Sequence, residues 1–164
     1  MSEIKKIKRS QFASFLNIGT KESPTWARMG KGITSQTVAY NPASTSETYI
    51  DEDSATTSLD SYAVNIATPQ TAYAGEPVFD YVDGLRRARA VGAESESQVM
   101  LVYIYDNAGS GQYSAEVNNC TIQIDDFGGD GGASVVMNYT VNLNGDPIQG
   151  KATIAGGVAT FTKD

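Results

Sequence analysis

The sequence predicts a mainly β protein, an antiparallel β-sandwich or barrel with one flanking α-helix at about residues 76–91. Three observations carry this reading. Short segments with period-two alternation recur along most of the 164 residues, and Gly, Pro, Asn or Asp bound them. A single stretch, from Gly75 to Gly92, has helical punctuation at both ends and apolar residues at three- and four-residue spacing. The run from Gln98 to Tyr105 is almost continuously apolar and reads as a central strand covered on both faces.

Taken in order, residues 1–24 form an arm, about residues 1–12, that leads into a first short strand anchored by Phe12, Phe15, Leu16 and Ile18. Residues 25–30 and 33–40 alternate and are joined at Gly30-Lys31-Gly32, so they read as two strands. From Asn41 to Asp60 the chain is too polar to bury and too long for a tight turn, which predicts a long loop with a function of its own. Tyr49 and Ile50 in its middle mark a surface that something covers. Residues 61–67 alternate again, and Thr68-Pro69-Gln70 closes the segment.

In the helix, Pro77 suits the first position and Gly92 is the expected left-handed stop. Glu76, Asp80 and Asp83 precede Arg86, Arg87 and Arg89, so the charges oppose the helix dipole. Val78, Tyr81, Val82 and Leu85 form the stripe expected to pack on the sheet. Beyond residue 105 the pattern is a meander, with strands expected near 112–117, 119–124, 133–143, 148–154 and 158–162. A tight turn is expected at Asn144-Gly145-Asp146-Pro147.

Size and composition narrow the function. The length suits one domain spanning 1–164 and is short for two. No apolar run approaches the ~20 residues of a membrane span, and Ser10–Leu16 lacks the continuous apolar core of a secretory signal, so synthesis in a cytoplasm without membrane insertion is expected. Cys120 is the sole cysteine, which rules out an internal disulfide. There is no histidine, so the commonest general base and zinc ligand is missing. No nucleophile elbow or phosphate-binding loop occurs, and Asp125–Gly132 is rich in glycine but precedes a strand. The expectation is a protein without catalytic residues, cofactor or metal. Asp51, Glu52 and Asp53 are consecutive, so they point apart and lack the spacing of a calcium loop.

Charge is unevenly spread. The net charge is −7, yet Lys5, Lys6, Lys8 and Arg9 make the arm basic ahead of an acidic body. Four cations without interleaved aromatics are a poor nucleic-acid site. Their natural target is the acidic surface of a neighbouring copy.

The segments Tyr49-Ile50-Asp51-Glu52-Asp53, Pro69–Tyr81 and Asn142–Gly150, in that order, resemble the major tail tube protein of long, non-contractile-tailed phages. The resemblance extends over roughly residues 25–162, and the tubes of phage-derived tail-like bacteriocins are similar. It implies a β-sandwich subunit in a virion tail, a homo-oligomer of stacked hexameric rings forming a hollow conduit. DNA would pass through it transiently, without specific binding. The implied partners are tape measure, tail terminator and distal tail proteins. Lys5, Lys6, Lys8, Arg9, Tyr49, Ile50, Asp51, Glu52 and Asp53 are the candidate contacts between subunits or rings. The alternative is a non-catalytic β-sandwich that binds carbohydrate or protein on a virion or cell surface, with the 41–60 stretch as its site.

Overall fold

The structure, a computed structural model, describes residues 3–164. Its strands are β1 (Phe12–Asn17), β2 (Trp26–Arg28), β3 (Thr37–Ala39), β4 (Pro42–Glu47), β5 (Thr56–Tyr62), β6 (Asn65–Thr71), β7 (Glu96–Gly109), β8 (Gln112–Gly128), β9 (Val136–Ala155) and β10 (Val158–Lys163). The helix α1 (Pro77–Ala88) lies between β6 and β7. One sheet runs β2-β1-β7-β8-β9-β6-β3, with β10 also on β9, and β4-β5 is a separate two-stranded sheet. Every pairing is antiparallel. The fold class is therefore the expected one, antiparallel β with a single helix.

The large sheet has a core on each face, and the two are offset along its strands. On one face α1 packs, and Leu16, Ile66, Val99, Leu101, Cys120, Ile122, Met137, Tyr139 and Val141 meet Val78, Phe79 and Val82. On the other, β10 and β2 lie over Phe15, Met100, Val102, Ala115, Val117 and Ala152, with Trp26 and Phe161 at the margin. Where the cores overlap, strands are buried on both sides. Residues 13–17 of β1 and 99–102 of β7 are accordingly all buried, which explains their lack of polar alternation.

Outside the overlap, β8 and β9 change the phase of their hydrophobic pattern midway. In β8 the apolar residues are Tyr113, Ala115 and Val117, then Cys120, Ile122 and Ile124. In β9 they are Met137, Tyr139, Val141 and Leu143, then Ile148, Ala152 and Ile154. Asn119 pairs with Asn144 and Val117 with Ile148, so Gly145, Asp146 and Pro147 form a bulge opposite Asn118. The tight turn expected at 144–147 is thus a bulge inside one 20-residue strand, and residues 112–128 are likewise one strand. Gly145 supplies the positive φ of +71° that the bulge requires.

Gly150 has a different reason to be glycine. A Cβ there would lie 2.6 Å from Phe161 Cζ, so its absence lets that ring seat against β9.

The helix is tied to the sheet by buried polar contacts. Tyr139 donates its hydroxyl to Gln70 Oε1 at 2.8 Å, and Gln70 Nε2 donates to Glu76 Oε2 at 3.1 Å. The same Glu76 oxygen accepts the Phe79 N–H at 2.7 Å, capping the helix, and Pro77 follows the cap as expected. The helix ends earlier than about residue 91. Arg89, at φ +48°, is the left-handed cap, because its N–H reaches back to the last turn, and Gly92 instead opens a short 3-10 turn. Val78 and Val82 are fully buried, while Tyr81 and Leu85 pack at the rim of the core. Phe79 joins the buried set.

β6 runs through Pro69 instead of stopping there. β3 pairs only with residues 65–67, and Thr71, two residues beyond Pro69, sends its N–H to Gly32 on that side. The missing N–H of Pro69 therefore points away from β9, where no ladder bond is lost.

These burials set an order among helix variants. Val82→Asp places an unpaired charge in the core and abolishes cooperative folding, whereas Leu85→Asp, at the rim, folds with reduced stability. Phe79→Ala costs about 3–5 kcal/mol. Urea unfolding monitored by circular dichroism checks all three, and Leu85→Asp less stable than Val82→Asp would show that the helix packs on another face.

Candidate functional site: assembly surfaces

The stretch expected to be a loop at 41–60 is a β-hairpin. β4 and β5 pair from Pro42 with Tyr62 to Glu47 with Thr56, with a bulge between Ala43 and Ser44. Polar side chains crosslink it: Thr45 Oγ1 donates to Asp60 at 2.6 Å, and the Ser46 and Thr57 hydroxyls lie 2.8 Å apart. Thr45, Thr56 and Thr57 supply β propensity without apolar alternation, which is why period-two hydropathy does not reveal it. Every residue of both strands is exposed, so the hairpin projects from the body without packing on it.

At its tip Tyr49 is exposed and Ile50 entirely so. The Glu52 N–H bonds to Tyr49 O at 3.0 Å to close the turn, and Glu52 accepts from Thr56. Asp51 and Asp53 stay exposed beside it. Among the described residues, no three acidic, cysteine or histidine side chains converge as a metal site would require. The hairpin carries Glu47, Asp51, Glu52, Asp53 and Asp60 and no Lys or Arg.

A groove of about 890 Å³ lies under the base of the hairpin, on the face where the α1 core gives out. Tyr40, Tyr62, Leu143 and Pro147 provide its apolar wall and Asp60, Glu116 and Asp146 its charge. Tyr40 and Tyr62 meet edge to face at 6.3 Å. Beside them Tyr103 stacks on Phe12 at 5.6 Å and meets Tyr105 at 5.9 Å. Tyr103 donates to one Glu116 oxygen, and Asn118 Nδ2 donates to the other at 3.0 Å. This aromatic strip is not legible in the sequence, since its members come from three strands, β1, β5 and β7, and from the segment between β3 and β4.

The basic arm divides in two. Arg9 is engaged within the chain, donating to Phe12 O at 2.5 Å and Gln36 O at 3.2 Å, with its guanidinium 5.2 Å from the Phe12 ring centre. Residues 3–8 stand away from the body, all exposed. Lys5 lies 3.6 Å from Glu3 in an open pair, a contact worth little. Lys6 and Lys8 project into solvent, and Ile4 is wholly exposed. On the helix, Asp83 binds both Arg86 at 2.7 Å and Arg87 at 3.1 Å, and Arg86 covers the Phe127 ring at 3.8 Å.

A second uncovered surface lies on the opposite face of β8 and β9, beyond the reach of β10. Its side chains bond to one another. Thr140 and Gln123 donate to Asp125 at 2.7 and 2.6 Å, Asn138 to Asp126 at 2.6 Å, and Asn144 to Thr121 at 2.8 Å. On β7, Gln98 extends the row to Asn119 at 3.2 Å. The row is polar and acidic, with no basic member.

Burial raises the pKa of Tyr103 above the ordinary 10.0, and its bond to Glu116 raises it further. Burial likewise raises Tyr139. Both hydroxyls hold their protons more tightly in the fold than in the unfolded chain. The stability they contribute is complete below about pH 10 and is lost as the pH rises past that value. Thermal unfolding followed from pH 8 to 11 should show a Tm falling above pH 10, with a smaller fall in Tyr103→Phe. A Tm as steep in that variant as in the parent would remove Tyr103 from the account.

No family model matches the sequence, and no curated protein matches it. Solved structures match by shape. The sheath/tube terminator of an extracellular contractile injection system, PVC, in the extended state, is 10% identical, with 90% of this chain and 99% of that chain covered and a TM-score of 0.51. The anti-feeding prophage cap, a tube terminating cap, is also 10% identical, with 100% and 95% covered and a TM-score of 0.54. The first is a component of a contractile injection system and the second a cap that terminates a tube. In fold, this chain is similar to the terminating components of tail-like tubes.

Proposed function

We propose that this chain is a non-catalytic structural subunit of a phage-tail-like tube, assembling as hexameric rings that stack into a hollow conduit in the tail of a virion or a tail-like particle. The observation that carries the reading is the bare hairpin. A two-stranded ribbon is marginal on its own in water, and this one gains no packing from its own body. Its apolar tip, Tyr49 and Ile50, acquires cover when it lies against another subunit, between or within rings. The sequence resemblance and the likeness in fold to tube terminating proteins support the same reading.

The polar face of β8 and β9 supports it from another side. Its side chains use their donors on one another, and among the described residues Asp125 and Asp126 make no ion pair. Such a wall offers phosphate nothing to hold and repels it, so a duplex passing along it would not bind. We assign this face to the lumen. Tape measure, terminator and distal tail proteins are the partners such a tube requires.

A second reading is a terminating ring that closes the end of a tube, favoured by the two solved structures being terminators. Electron microscopy of the purified chain separates the two: open-ended tubes identify the tube subunit, and single closed rings that do not stack identify a terminator. Persistent monomers at every salt concentration would overturn both and favour a surface-binding module.

Replacing Tyr49 and Ile50 together with Ser leaves a folded chain, because neither touches the core, and prevents stacking into tubes. Normal tubes from that variant would remove the hairpin tip from the contacts.

A further inference from the structure

Within one chain two surfaces are left unmatched, and they complement each other. Residues 3–8 stand clear of the body and carry Lys5, Lys6 and Lys8, with Ile4 fully and Ile7 54% exposed. The groove under the hairpin base presents the carboxylates of Asp60, Glu116 and Asp146, no Lys or Arg, and an apolar wall of Tyr40, Tyr62, Leu143 and Pro147. At about 890 Å³ the groove has room for several side chains. Six residues span at most roughly 20 Å, long enough to carry Ile4, Ile7 and the three lysines across the groove, with one bend turning both isoleucines to the wall.

We propose that residues 3–8 of one copy of this chain seat in the groove of a second copy, Ile4 and Ile7 against the aromatic wall and the lysines against Asp60, Glu116 and Asp146. The second copy is the occupant because the lysines match the acids and the isoleucines the apolar wall, Glu3 being paired with Lys5 in the arm itself, and because the chain's own arm does not line the groove. Arg9, clamped on Gln36 O and Phe12 O, and Lys8, whose backbone is bonded to Gln11, fix where the arm leaves the body, and the exposed residues before them form the tether. Glu116 is held in place for this by Tyr103 and Asn118. The inference rests on the self-assembly proposed above and names the contact that links one subunit to the next.

The test mixes two full-length variants under mild oxidation, one carrying Ile4→Cys and the other, with an affinity tag, Ser61→Cys. Both positions are exposed and outside the cores, so folding is undisturbed, and Cys120 is buried. The expected result is a disulfide-linked heterodimer that forms in assembled material and is lost, tenfold or more, when Asp60 and Asp146 are both changed to Lys. Changing Lys5 and Lys6 to Glu in the Ile4→Cys chain restores the link to that charge-reversed partner. Assemblies visible by electron microscopy without the link would overturn this contact and leave the tube reading standing. A chain carrying both cysteines that links only to itself at high dilution and in assemblies would overturn it in favour of self-docking. Failure to assemble under any condition would overturn the tube reading and this inference with it.

Discussion

The fold depends on an inversion of hydrophobic phase within the two longest strands. A half-buried strand normally keeps its apolar residues on one face, since a shift of one residue turns the whole set outwards. In β8 and β9 the backbone faces stay continuous while the apolar set moves from one side to the other near Asn118 and the 145–147 bulge. Each strand therefore serves two cores, one under α1 and one under β10. β1 and β7, lying where the cores overlap, are buried on both faces there, over residues 13–17 and 99–102.

The same inversion creates the exposed surfaces. Where a core lies on one face, the other face of that half-sheet has no cover and must be made of side chains that tolerate water. Beside the α1 core the uncovered face is the Asn, Thr, Gln and Asp row that includes Asp125, Asp126 and Thr140. Beside the β10 core it is the floor of the groove, where Glu116 and Asn118 sit next to Tyr103. One surface is flat, self-bonded and acidic, the other concave and part apolar. The first has few free donors with which to hold a partner, whereas the second presents the Asp146 carboxylate and the exposed rings of Tyr40 and Tyr62 beside the bonded Asp60 and Glu116.

Much of this was legible in the sequence. The helix, its Pro77 start, the buried Val78 and Val82 and the doubly covered run at 99–102 follow from spacing and punctuation that the structure obeys. What misled was local chemistry acting in a larger frame. Asn144-Gly145-Asp146-Pro147 has the composition of a turn, but its flanking segments remain on one strand because each half of β9 has its own partner beyond β8, β6 for residues 136–142 and β10 for residues 150–155. The hairpin at 42–62 was hidden because it buries nothing, so it carries no hydropathy signal, only Ser and Thr in number. Gly92 stood ready as a helix stop, yet the last turn closed on Arg89 first. The groove could not have been seen at all, being assembled from residues more than a hundred positions apart.

Electrostatics constrains how such a chain can associate. Each copy carries −7 overall, so copies approaching at random repel one another, an effect screened beyond about 8 Å at physiological salt. Attraction is confined to places where a cationic segment meets an acidic one at close range, and the described residues 3–8 form the one run of chain with three lysines. A single exposed contact of that kind is weak. Closure of a ring changes the balance, because every subunit then makes the contact twice, once as donor of the segment and once as receiver, and the last contact forms within an already connected assembly at high effective concentration. In the proposed assembly an acidic body with a small basic tether would thus disfavour loose pairs and favour closed, repetitive rings, and the hairpin's five carboxylates keep its apolar tip hydrated in the single chain.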